Sequence, residues 1–181
     1  NGLPNTDGSK AYPGTPDTSL MAGAPTVISS SAFLGETATD AKVRQLDEIS
    51  FTIQYPAFQV INTQKGDRED AYAFYVMHIR FKQDGSFSSW KKLFPEKDYI
   101  KHKGNTTAPI SFEHIINLEG YRKGLGTFTD FEVRIIRTTR HIGLPVRLSG
   151  TNENDPDKKK WQLLAESSVV LLGAVIKDKL R

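Results

Sequence analysis

The side chains able to do chemistry in this chain are few and scattered. Its four histidines, His78, His102, His114 and His141, stand far apart, and no pair has the spacing of a metal-binding motif. Isolated histidines in strands or loops are ordinarily structural, and these are read that way. Two acidic runs, Gly66-Asp67-Arg68-Glu69-Asp70 and Asn152-Glu153-Asn154-Asp155-Pro156-Asp157, offer oxygens that suit calcium, but neither follows the EF-hand pattern. Both read as polar loops between strands. Gly120 to Gly126 (GYRKGLG) lacks the Lys-Ser/Thr of a phosphate loop and a strand-then-helix frame, so it is expected to be a flexible loop. Serines, aspartates and histidines occur without a nucleophile elbow, and the absence of cysteine removes thiol nucleophiles, zinc-thiolate sites and disulfides. No catalytic residue, cofactor or resident metal is expected.

Basic residues are the remaining chemical resource. The 24 Lys and Arg against 21 Asp and Glu leave only +3, too little to mark a nucleic-acid binder. Locally, Lys91, Lys92, Lys97, Lys101 and Lys103 interleave with Trp90, Phe94 and Tyr99, a mixture that can hold a single nucleic-acid strand or an acidic glycan. Lysines on an outer hairpin also guard a sheet edge against pairing, and that is the expected role. Lys158 to Lys160 beside Asp155 and Asp157 read as a solvated loop. In FTDFEVRIIRTTR, residues 128–140, side chains alternate, so Arg134 and Arg137 project to opposite sides of a strand. Arg134 is expected to face solvent. Arg137 and Arg140 are expected at or past the strand's end with their guanidinium groups in water, forming no polyanion site.

The elements that would position these residues are strands. Ile49, Phe51, Ile53 and Tyr55 alternate with polar residues up to Pro56. Tyr75, Met77, Ile79 and Phe81 share one face of a second run that ends at Gln83-Asp84-Gly85-Ser86, a hairpin signal with Phe87 to Phe94 returning. Ile110 to Ile116 and Phe131 to Ile135 repeat the pattern, and Trp161 to Ile176 is expected to be one strand bent at Gly173. Six or seven short strands without a convincing amphipathic helix predict an all-β, antiparallel sandwich over residues 46–181. Its expected core is Phe51, Ile53, Phe131, Val133, Ile135 and Trp161. Residues 1–45, rich in Gly, Pro, Ser, Thr and Asp, predict an extended lead segment. No apolar run approaches the roughly 20 residues of a membrane span, so no span is expected. The start at Asn1 and the unpunctuated end at Arg181 read as those of a piece of a larger protein.

A series of short motifs then forms a recognisable order: Gly14-Thr15-Pro16-Asp17, Ala22-Gly23, Tyr55-Pro56-Ala57-Phe58, Lys65-Gly66-Asp67, Gly104-Asn105-Thr106-Thr107, Val133-Arg134-Ile135-Ile136-Arg137-Thr138-Thr139, Trp161, and Val175-Ile176-Lys177-Asp178-Lys179-Leu180. In that order and approximate spacing the chain resembles the tail tip attachment, or host-specificity, proteins of lambda-like long-tailed phages. It departs from them at Ile136, where the family often has Arg, and in a longer loop at 140–157.

The resemblance implies a fibronectin-III-like β-sandwich inserted in a hub domain, to which residues 1–45 would belong. It implies a homotrimer in the full-length protein, other tail proteins as partners, and a host receptor met through other regions. The location would be the virion tail tip, after assembly in the host cytoplasm, with no nucleic acid bound. Gly66, Asp67, Gly104, Thr106, Thr107, Arg134, Arg137 and Trp161 would be structural motif positions. The alternative reading is a secreted or surface carbohydrate-binding sandwich, with Trp90, Tyr99 or Tyr121 as its stacking platform.

Overall fold

The computed structural model describes residues 18–20, 23–139, 142–143 and 161–177. The first half runs β1 (Thr18–Ser19), β2 (Pro25–Ser29), α1 (Ser30–Leu34), α2 (Asp40–Gln45), β3 (Glu48–Tyr55), β4 (Gln59–Asn62), β5 (Arg68–Glu69) and β6 (Ala71–Gln83). It continues with β7 (Ser86–Phe87), β8 (Lys91–Lys92), β9 (Ile100–Gly104), β10 (Ile110–Asn117), α3 (Leu118–Leu125), β11 (Asp130–Arg137), β12 (Ile142–Gly143), β13 (Trp161–Leu164) and β14 (Ser168–Val175).

Alternation of apolar and polar residues fixes the three strands that build the core. β3 buries Ile49, Phe51, Ile53 and Tyr55, β6 buries every second residue from Ala71 to Phe81, and β11 buries Phe131, Val133 and Ile135. Sealing each such large apolar side chain from water stabilises the fold by roughly 1.5–3 kcal/mol. β3 lies in a sheet of order β1-β14-β3-β10, while β6 and β11 lie in a second of order β2-β11-β6-β7, with β8 and β9 also on β6. Their inner faces share one core, and the pairings within both sheets are antiparallel, so the fold is an antiparallel β-sandwich.

A third sheet, β12-β13-β4-β5, is built where chain leaving the sandwich continues as strand: β3 runs on into β4, and β13 returns through Ala165-Glu166-Ser167 into β14. The hairpin between β6 and β7 has the geometry its residues demand. Asp84 (φ 51°) and Gly85 (φ 82°) are both left-handed, as a two-residue turn matched to strand twist requires.

Several expectations are corrected. The sandwich does not begin at residue 46: β2 pairs with β11, and Leu20, Ile28, Phe33 and Val43 enter the same core. Serines and threonines that suggested loop are helix caps here, since the side chains of Ser29 and Thr39 accept from the backbone N–H groups of Ala32 and Lys42.

GYRKGLG is not a loop but most of α3. The Asn117 side chain accepts from Gly120 N at 3.2 Å, Leu118 is buried, Tyr121 packs on Phe81, and Gly126 (φ 83°) ends the helix. The last apolar run is two strands in two sheets rather than one bent strand, because Ala165 and Ser167 turn inward between them. Fourteen strands are present among the described residues instead of six or seven, several only two residues long. Trp161 opens β13 and packs half-buried against the core's margin, not within it.

Candidate functional site

The residues with most chemical potential meet inside the sandwich, where its two sheets and the root of the third come together. Tyr55, last on β3, shares a hydrogen bond of 2.7 Å with Tyr75 of β6 and one of 2.6 Å with His102 Nδ1 of β9. His102 Nε2 lies 2.8 Å from His114 Nε2 of β10. At the other end, Tyr75 bonds Ser167 Oγ at 2.7 Å, which also accepts from Arg137 Nη1 at 2.7 Å. Arg137 further donates from Nη1 to Ala165 O (2.6 Å) and from Nε to Thr139 O (2.9 Å). A continuous run of polar side chains, His114–His102–Tyr55–Tyr75–Ser167–Arg137, thus crosses the core.

Alternation delivers each member. Arg137 has the same parity on β11 as Phe131, Val133 and Ile135, and it is 0% exposed, contrary to the expectation of a guanidinium in water. Arg137 is the last residue of β11, as expected, but that end is covered by the segment before β2 and the segment after β13: Gly23 N donates to Arg137 O at 2.7 Å, and Ala165 and Ser167 face the guanidinium. A buried guanidinium requires acceptors, and carbonyl oxygens of the crossing chain supply them. His102, 2% exposed, lies between Lys101 and Lys103. Those exposed lysines place His102 on the inner face, a sequence signal that a search for metal spacing passes over.

Burial sets the protonation states. It draws His102 down from 6.5 to about 3, helped by His114 and Arg137, and His114 down to about 4, helped by Lys97. Burial likewise raises both tyrosines, Tyr55 further through the adjacent Tyr75, and lowers Arg137. Both imidazoles are therefore neutral near pH 7, with one hydrogen between their Nε2 atoms. The site's capacity is to hold neutral, hydrogen-bonded groups in a fixed geometry around one buried cation.

Of the motif positions, Phe58, Gly104 and Thr106 pack beside this run, while Gly66, Asp67, Thr107, Trp161 and Arg134 lie elsewhere. Phe58 stacks on Tyr55 with ring centroids 4.0 Å apart and planes within 6°. Thr106 exchanges two backbone hydrogen bonds of 2.9 Å with Phe58, and Gly104 lies against the Phe58 ring so closely that a Cβ would sit 2.3 Å from Cδ1. Thr107 is exposed in the adjoining turn. Gly66 (φ 79°) and Asp67 form the turn from β4 to β5: Gly66 N donates to Asn62 O, and Asp67 O accepts from Asn62 N, each at 2.7 Å. Trp161 stands opposite Asn62 in the same small sheet. Among the described residues no three His, Asp or Glu converge as a metal site. The Asn152–Asp157 run, Lys158 to Lys160, Arg140, His141 and the motif residues 14–17, 22 and 178–180 lie outside the described residues.

Arg134 is on the other face of β11, as its parity requires, and is partly exposed. Its guanidinium and that of Arg80 each lie 4.5 Å from the centroid of Trp90. Tyr121, expected as an exposed platform, instead faces inward and donates to Leu93 O at 3.3 Å. Tyr99 is 55% exposed.

No protein-family model matches the chain, and no curated protein is similar to it in sequence.

Proposed function

We propose that the chain is a structural and interaction module of a phage tail tip, a fibronectin-III-like sandwich within a hub or host-attachment protein that performs no chemistry itself. One observation carries the reading. Motif positions far apart in sequence meet at one joint: Tyr55 stacks on Phe58, Phe58 bridges to Thr106 and packs on Gly104, and the Arg137 guanidinium lies 6.0 Å from the Tyr55 ring centroid. Residues that carry a family likeness only through their order gain weight when they serve a single structural purpose. That purpose is to hold the third sheet to the sandwich, which suits a subunit transmitting load between neighbours. The polar side chains with the most capacity for chemistry are engaged in that joint.

Immunogold labelling with an antibody raised against the 181-residue chain tests the proposal. Label at the tips of long-tailed particles is expected, with other tail genes beside the coding sequence. Label on cell envelopes beside unlabelled particles would overturn it. The carbohydrate-binding alternative loses two of its three platforms, since Trp90 is stacked by two guanidinium groups and Tyr121 is turned inward. Specific retention of neutral oligosaccharides on a glycan array would restore it.

A further inference from the structure

The outer face of the six-stranded sheet carries two cations, Lys92 and Arg134, on either side of His78, that the joint does not use. In register across β8, β6, β11 and β2 stand Lys92, His78, Arg134 and Val27. Arg134 Nη2 donates to His78 Nδ1 at 3.2 Å, so this imidazole is held as an acceptor, while Arg134 Nε is buried and has no hydrogen-bond partner among the described residues. The nearest acidic neighbour in the sheet, Glu132, is engaged twice by Arg80, at 2.7 and 2.6 Å. Among the described residues no carboxylate pairs with Arg134. Lys92 meets Asp98 at 3.0 Å, but that carboxylate is 91% exposed and its hold is weak.

Burial lowers His78, and Arg134 and Lys92 lower it further; burial and then Arg80 lower Arg134. Beside the row lies a shallow depression lined by Val76, Lys92, Phe94, Lys97, Asp98 and Tyr99, so apolar side chains adjoin the charges, and Asp98 on its rim is the one already held by Lys92.

We propose that this row, centred on Arg134 and Lys92 above His78, is a docking surface for an acidic, extended segment of a partner protein. One carboxylate would bridge the outer end of the Arg134 guanidinium and Lys92, and an aliphatic neighbour would lie against Val76 and Tyr99. Charge complementarity selects this occupant. A nucleic-acid strand needs a longer series of cations to track its phosphates, and Glu132 and Asp98 flank this row. A neutral sugar needs a free aromatic face, and the indole here is engaged by guanidinium groups. Nothing in this geometry depends on a tail tip.

The test uses the 181-residue chain and a fluorescein-labelled peptide of alternating glutamate and alanine, with its glutamine counterpart. Anisotropy is expected to show saturable binding of the glutamate peptide that weakens as salt rises, and none of the glutamine peptide. Arg134→Gln and Lys92→Gln should each weaken binding by about tenfold, as loss of a charge-assisted hydrogen bond does, with Lys123→Gln on α3 unchanged. Amide shifts on binding should centre on residues 76–80 and 134. If Arg134→Gln fails to fold, exposed Lys92 still decides. No binding of the glutamate peptide, equal binding of the glutamine peptide, or undiminished binding by Lys92→Gln would overturn the proposal, as would a single-stranded oligonucleotide that displaces the peptide and binds more tightly.

Discussion

Gly104 lies flush against the ring of Phe58, and a Cβ at that position would stand 2.3 Å from Phe58 Cδ1 and 2.8 Å from Cγ. Phe58 cannot retreat easily, because its other face is stacked on Tyr55 and its backbone is bonded both ways to Thr106. A methyl group here must displace the aromatic stack or part β9 from it. Gly104→Ala is expected to cost about 2 kcal/mol or more, in the range of overpacked cores, read as a lower midpoint in urea unfolding. An unchanged midpoint would mean that the joint is softer than its geometry.

The opposite sign is expected at Gly120. It lies inside α3, and an added Cβ meets nothing within 4 Å. Gly120→Ala removes the entropy that glycine loses in a helix and should stabilise by up to about 1 kcal/mol. A midpoint that falls in this variant would remove α3 from the stable part of the fold.

What the sequence made legible was parity. Phe51, Ile53, Phe131, Val133 and Ile135 are all buried, since alternation in a strand with one covered face leaves no other arrangement. Parity also assigned Arg134 and Arg137 to opposite faces. It could not tell that Arg137 is buried, because that depends on what covers the end of β11, namely Ala165 and Ser167, distant in sequence. The helices around Phe33 and Leu118 were hidden for a related reason. Each is eight residues or shorter, and caps and tertiary burial sustain them against poor composition. The His102–His114 contact was illegible as a pair, for β9 and β10 meet β6 and β3 in different sheets.

That histidine pair makes stability depend on pH. Both folded-state values, about 3 and about 4, lie below the unfolded value near 6.5, so the neutral rings favour the fold fully above pH 6.5. As pH falls below 6.5 the unfolded chain takes up protons that the folded chain refuses, and stability is lost progressively down to about pH 3. The neutral pair already has one hydrogen in the Nε2–Nε2 bond, so protonating both rings would set N–H against N–H, with the positive charge of Arg137 also opposing it. A loss on the order of a few kcal/mol between pH 6.5 and 4 is expected in urea titrations, and His102→Gln with His114→Gln should flatten that slope whatever its own stability. Imidazole proton signals of His102 or His114 that titrate near pH 6.5 in the folded chain would refute this.

Arg137 and Arg134 give the strongest contrast available on one strand. Truncating Arg137 to Ala removes donors to Ser167 Oγ, Ala165 O and Thr139 O and leaves the first two, which are buried, without that donor. It also opens a cavity between Tyr55 and Tyr75, whose ring centroids lie 6.0 and 5.9 Å from the guanidinium carbon. The expected cost is about 3 kcal/mol or more, enough to loosen the third sheet even if the sandwich survives. Arg134→Ala, on the outer face, loses only stacking on Trp90 and a bond to His78, and should cost about 1 kcal/mol or less. Hydrogen exchange separates the outcomes: in Arg137→Ala the amides of β4 and β13 should exchange ahead of those of β3 and β6, while in Arg134→Ala all four strands should keep their order. Equal effects of the two truncations would show that the buried guanidinium is not what ties the small sheet to the sandwich.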